Sequence, residues 1–546
     1  MKKLVFKFLL IIVIVCFVFT PGLAQENVPQ RVLHISLDRT PLFDPARSAG
    51  TAGNITTINI YDMLVFPVGD GSVIPYLAES WELDDDHLNY TFNLKKGVKF
   101  HNGDELTAED VVFSMKRVLA LGEGFAFVFT DVVEDVVEVD KYTVKFTIKK
   151  PFGAFIDTLA RFYVLNKQQV LENISSGPYG DMGDYGKDWL QSHDAGSGPY
   201  MVKEVIQQNY VYLERYDDYW GGWEENAPVA IKLIDTTEAI TIRTMMKNQE
   251  LEITDYNQTT ENLKAISKIP GVKNGFYFMA AELNMCLNNK KAPTDDVNFR
   301  KALSYLFDYE MISKYIYLTS PQSRGPVTAI TPGYNPNLYQ YSLNLEKAKE
   351  YLQKSKYGDK LDQYPVELLV NSSVPDHEKI ALAFQAQAEK VGIKVNISKA
   401  PWMTIVDRVS TVESTPNMVG IMVVPAYNEA GSVLETRYHS KSVGKYIAAE
   451  WLQDKEIDAM IEDALATIDK EERFAKYYKI QEILVNDIVP TIWLVDYAYT
   501  LSYQSEYMEW PMMEAVIKQG KNASMVVEGG YYYFKDFKLY PEKMRK

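Results

Sequence analysis

Histidine and cysteine are scarce in this sequence, with six of the first and two of the second among 546 residues. His34, His87, His101, His193, His377 and His439 never stand at the spacing of paired metal ligands. His377-Glu378 opens like a zinc-protease helix but meets Ala381 where the second histidine belongs. No metal site is expected. Phosphate loops and dinucleotide-binding glycine patterns are missing, and Gly196-Ser197-Gly198 lacks the flanks of a nucleophile elbow. Basic residues are in deficit: 57 Lys and Arg against 73 Asp and Glu leave a net charge of −16, the wrong sign for coating nucleic-acid phosphates. An enzyme, a resident cofactor and a nucleic-acid partner are therefore not expected. Acidic neighbours such as Asp217-Asp218 and Glu224-Glu225 keep an exported glycoside hydrolase as a minor alternative, although 73 acids make chance pairs certain.

Long apolar runs are limited to one, from Phe8 to Phe19, behind Lys2, Lys3 and Lys7 and ahead of Pro21, Gly22 and Ala24. Charged, apolar and small residues in that order read as an export leader over 1–24. Its apolar stretch, at about 1.5 Å per residue, falls short of a hydrocarbon core of about 30 Å. The rival lipoprotein reading through Cys16 meets Val15 where a small residue is wanted. Removing the leader takes away three lysines, so 54 basic groups face 73 acids and the charge deepens to −19. It also leaves Cys286 alone between Met285 and Leu287, which excludes an intramolecular disulfide and favours a small buried role. The mature chain reads as a soluble monomer secreted across the cytoplasmic membrane, at home in the periplasm or on the outer face of the cell membrane.

The length suits three to four folding units at about 150 residues each. A strand is expected over Val32–Leu37. Leu88, Tyr90, Phe92 and Leu94 alternate with polar residues, and Gly97 separates them from Val98 and Phe100, which reads as a hairpin. Thr107-Ala108-Glu109-Asp110 is a capping box ahead of Val111, Met115 and Val118 at helical spacing. Val137 and Val139, then Tyr142 to Ile148, give another hairpin, so 75–150 forms a small mixed lobe. Two βαβ units follow, one from Val229 through Ala239–Met246 to Leu251–Thr254, the other from Val366 through His377–Lys390 to Ile393–Ile397. Two α/β lobes imply a cleft. Aromatic residues are plentiful, 37 Tyr, 24 Phe and 8 Trp, and their faces suit sugar rings or peptide side chains.

The run Ile74 to Glu82, continued through Tyr90-Thr91-Phe92, Leu94 to Gly103 and Leu106 to Ser114, strongly resembles the signature of the oligopeptide-binding family of extracytoplasmic solute-binding proteins of ABC importers. Gly196-Ser197-Gly198-Pro199-Tyr200, Tyr216 to Trp220, Phe299 to Leu303 with Asp308, Glu346-Lys347-Ala348 and Glu471-Glu472-Arg473 match in order. The resemblance implies an α/β, type-II periplasmic-binding architecture: two α/β lobes around a cleft plus an extra smaller mixed lobe. It implies lobe I from 25–68, 191–287 and 498–546, lobe II from 69–190 and lobe III from 288–497. It also implies a membrane permease as partner and an oligopeptide as ligand, with a cello-oligosaccharide as the alternative and a nickel complex less favoured.

By the same resemblance the ligand is touched by an aromatic loop similar to Phe125, Phe127 and Phe129, and by a tryptophan similar to Trp402. The family's Trp-x-Ala-Asp-Tyr segment matches Val423 to Tyr427, which puts Ala426 where an aspartate pairs with the peptide ammonium; Tyr427, Asn428 and Glu429 still agree. A buried ammonium without a partner costs about 3–5 kcal/mol. Either Glu429 or Asp496 is expected to replace that aspartate, or the ligand has no ammonium. His377, opening the helix of the second βαβ unit, lies where such folds place ligands.

Overall fold

The computed structural model describes residues 31–48, 50–69, 71–519 and 528–545. The expected leader 1–24 and Cys16 lie outside the described residues. Three sheets organise the rest. In the first, Val32–Leu37 lies parallel to Ala230–Asp235, which pairs antiparallel with Tyr210–Arg215 and that in turn with Tyr200–Ile206. The expected third element of its βαβ unit shrinks to a bridge: Ile253 alone pairs, with Ile35 on one side and Tyr503 on the other. The second sheet has the order Val395–Ala400, Val366–Asn371, Met418–Val423, Val272–Leu287, Thr491–Gln504. Its first three strands are parallel, and the expected crossover helix Pro375–Glu389 joins the first two.

Two long strands link the first two sheets. Val272–Leu287 and Thr491–Gln504 pair antiparallel from Val272 opposite Gln504 to Phe278 opposite Ala498, and again from Glu282 opposite Asp496 to Cys286 opposite Thr491. Between the two stretches the register slips. Such an irregularity frees ladder bonds and lets the ribbon bend. It stands between the end that reaches the first sheet through Tyr503 and Ile253 and the end that pairs with Met418–Val423.

The third sheet, Ala78–Leu83, Asn89–Leu94, Thr143–Ile148 and Val133–Asp140, is wholly antiparallel and forms, with helix Ala108–Leu121, the extra mixed lobe expected as lobe II; it is the third lobe, and the one expected as lobe III is the second. The hairpin expected after Leu94 does not form. Gly97 turns the chain at φ 76°, and Val98 and Phe100 go into the core. Asn89–Leu94 pairs instead with strands before and after it. His101 and Arg117 hold this third lobe to the first. His101 Nδ1 meets Asp194 at 2.5 Å and its Nε2 meets the Gly198 carbonyl at 2.9 Å. Ser197 Oγ and Trp220 Nε1 donate to Asp62 Oδ2 at 2.9 and 2.8 Å, and burial pushes the Asp62 carboxyl up to about 6. A Cβ on Gly196 or Gly198 would strike the Ile60 backbone, so only glycine allows this approach. Arg117 adds a buried fork onto Asp44, 2.7 and 2.6 Å long.

Candidate functional site

Parallel strands present their carboxyl ends on one edge, and loops leaving that edge carry the residues that meet a ligand. Three loops leave the second lobe there. Asn371 leads through 372–374 into the helix whose first turn holds His377; Ala400 leads through Pro401 to Trp402; Val423 leads into 424–429 and helix Ala430–Tyr438. The fold thus brings His377, Trp402, Tyr427, Asn428 and Glu429 to a single edge. Phe125 and Phe127 come from the third lobe, and Asp496 from a crossing strand.

His377 is 4% exposed, and neither ring nitrogen has a hydrogen-bond partner. Burial lowers its pKa to about 4, so the imidazole is neutral at physiological pH. The helix it opens has Val374 at its N-cap, with no side-chain acceptor, and Pro375 in its first turn. Trp402 is half-buried, with Tyr446 edge-on at 5.0 Å, and Met403 beside it is exposed. These groups can meet the polar backbone and apolar side chains of a solute.

The segment 426–429 is used differently. Tyr427 is buried against Phe152 of the third lobe, ring edge to face at 5.7 Å. Asn428 Nδ2 donates to the Gly71 carbonyl at 2.9 Å. Glu429 is 1% exposed and takes Arg473 Nε and a terminal guanidinium nitrogen at 2.9 and 2.8 Å, plus the Tyr477 hydroxyl at 2.7 Å. Asp496 is buried as well: Ser323 Oγ donates to Oδ1 at 2.7 Å and the Ala329 amide to Oδ2 at 2.9 Å. Both carboxylates already hold strong partners within the protein. Phe125 is half-buried beneath Arg161, Phe127 is exposed, and Phe129 belongs to the core.

Arg161 was not among the expected site residues, although the sequence carried its signal, a single charge inside the apolar run 158–165. Its Nε donates to the Ala426 carbonyl at 3.0 Å. Cys286 is buried as expected, in an apolar cluster with Leu369 and Val419, and polar groups also meet its sulfur: Asn284 accepts from its thiol, and Arg437, ion-paired with Glu450, lies against it. Burial pushes the thiol well above its usual range. Among the described residues no group of His, Cys, Asp and Glu side chains is arranged to hold a metal, and no helix is long and apolar enough to cross a membrane. A cavity of about 910 Å³ lined by Arg31, Glu214, Asp217, Asp218 and Glu542 lies at the amino ends of Val32–Leu37 and Ala230–Asp235.

Two α/β lobes joined by crossing strands, with three loops gathered on one edge, have the type-II architecture of solute-binding receptors. The family model for bacterial extracellular solute-binding proteins, family 5, matches residues 72–445, and the chain belongs to that family. It is 28% identical over 507 residues to the probable D,D-dipeptide-binding periplasmic protein DdpA of Escherichia coli, covering 90% of this chain and 94% of the relative. It is 27% identical to heme-binding protein A of Haemophilus influenzae, covering 83% and 85%. Its fold is that of the ABC transporter-associated periplasmic binding protein DppA from Helicobacter pylori, solved with the peptide STSA, at a TM-score of 0.73 and 22% identity over 93% and 98% of the two chains.

Proposed function

We propose that this protein captures an oligopeptide between its lobes, outside the cytoplasmic membrane, and delivers it to the permease of an ABC importer. The lobes are divided as 25–68 with 191–287 and 498–546, 69–190, and 288–497, and the paired strands 272–287 and 491–504 serve as the hinge. A solute that touches both main lobes shifts the open and closed populations toward closure by its preference for the closed form.

His377 is the observation that carries the peptide reading. A buried imidazole with neither nitrogen satisfied costs about 1–3 kcal/mol, and a hydrogen-bonding solute recovers that loss. The neutral ring donates at one nitrogen and accepts at the other, which suits the carbonyls and amides of a peptide backbone. Trp402 and Met403, on the same edge, suit apolar side chains. Extensive similarity to a dipeptide-binding relative supports the same class.

The test is thermal unfolding with a random tetrapeptide pool and, separately, a cello-oligosaccharide pool. A bound ligand at a hundred times its Kd stabilises by about 2.7 kcal/mol. The peptide pool raises the midpoint, and His377→Ala lowers affinity about tenfold. A rise with oligosaccharides alone overturns the peptide assignment.

A further inference from the structure

Arg161 touches all three lobes. It is 7% exposed. It donates from Nε to the Ala426 carbonyl of the second lobe at 3.0 Å and from a terminal nitrogen to Asn54 Oδ1 of the first at 3.3 Å. Its guanidinium carbon lies 4.3 Å from the centre of the Phe125 ring on its own lobe. The planar, charged fork suits this task because it hydrogen-bonds in its plane and stacks through its face.

Three more contacts follow the same line. Gly71, at φ 85°, gives its carbonyl to Asn428, and a Cβ there would come within 2.8 Å of that amide nitrogen. The Gly153 amide donates to the Leu465 carbonyl at 3.0 Å, and a Cβ there would collide with the Thr467 carbonyl oxygen and with Arg473, the residue that holds Glu429. Phe152 packs its ring on Tyr427. Every residue from 426 to 429 is therefore held by the third lobe or by Arg473, which the third lobe touches. The hinge strands join only the two main lobes. The hydrogen bonds of the third lobe with Ala426 and Asn428 are short and directional, so turning the second lobe away breaks them together.

We infer that the third lobe is a latch: Arg161 is a positioning residue that holds 426–429 shut over a bound solute and sets how long the solute stays. This rests on the reading that the solute lies between the lobes, but it concerns retention rather than the ligand's identity.

The experiment compares the full protein with Arg161→Gln, Arg161→Lys and Gly153→Ala. Hydrogen exchange over 424–429 is followed without added solute, and release of a bound random tetrapeptide pool is timed separately. Arg161→Gln is expected to speed both by about tenfold, the weight of one charge-assisted hydrogen bond, while exchange in the cores of the sheets is unchanged. Arg161→Lys keeps the charge but cannot serve Asn54, Phe125 and Ala426 together, and it follows the glutamine variant. Gly153→Ala disturbs the latch from the other side without touching Arg161, so it still decides the matter if the arginine variants unfold. Wild-type exchange over 424–429 in Arg161→Gln and Gly153→Ala overturns the latch, as does full rescue by lysine. Failure of the wild type to hold any peptide counts against the peptide reading alone, because the exchange readout needs no ligand.

Discussion

Glu429 shows how a residue type can be right for a site while its partners give it another task. Its carboxylate is sealed with the Arg473 guanidinium, both nearly inaccessible, and Tyr477 supplies a third donor. Removing one side of a buried pair leaves the other charge uncompensated. Glu429→Gln is therefore expected to cost about 3–5 kcal/mol, read from the denaturant midpoint. Replacing both residues together by leucine and methionine of similar volume is expected to cost much less, because no charge is stranded. A single variant as stable as the parent would show the pair to be dispensable.

Helix Ala108–Leu121 is the element whose start and finish are clearest. The Thr107 amide and hydroxyl donate to Asp110 Oδ2 at 2.9 and 3.1 Å, and Gly122 closes the far end at φ 63°. Asp110 does more than its local pattern implied: Oδ1 accepts the Lys167 amide at 2.9 Å, fixing the start of a second helix, Lys167–Glu172. Asp110→Ala strands donors from two elements and is expected to cost about 1–3 kcal/mol. Thr107→Ala leaves both amides their acceptor and is expected to cost about 1 kcal/mol. Chemical denaturation of the two variants separates the cases, and equal losses would deny Asp110 its second role. Alternation succeeded over Thr143–Ile148 and failed after Gly97, because period two records which side chains are buried and not which strand lies alongside.

Where the third lobe meets the second, burial of one carboxyl opposes the contact as pH rises. Asp157 faces Glu429, Lys470 and Arg473 there, and burial first, then the Glu429 charge, pushes its carboxyl up to about 7. An unhindered aspartate titrates near about 4. The closed, folded protein therefore holds this proton more tightly than the open or unfolded one. Its contribution is harmless below about pH 4, becomes unfavourable as pH rises, and reaches its full penalty above about pH 7. Asp157→Asn carries no charge to desolvate. The variant is expected to match the parent at pH 4 and exceed it in stability at pH 8, with the midpoint difference growing across that window. A difference independent of pH would place Asp157 in solvent.

The sequence by itself determined the elements and the class of protein. Periodicity, caps and turn glycines act within a few residues, so the capping-box helix, the crossover unit 366–400 and the strand Val32–Leu37 were legible, and a long motif run carried the family. Only the tertiary structure decided which carboxylates already hold partners within the protein. Glu429 meets an arginine 44 residues on, and Arg161 reaches a carbonyl 265 residues away. No local pattern records such pairings, because burial and charge compensation are settled only when the lobes come together.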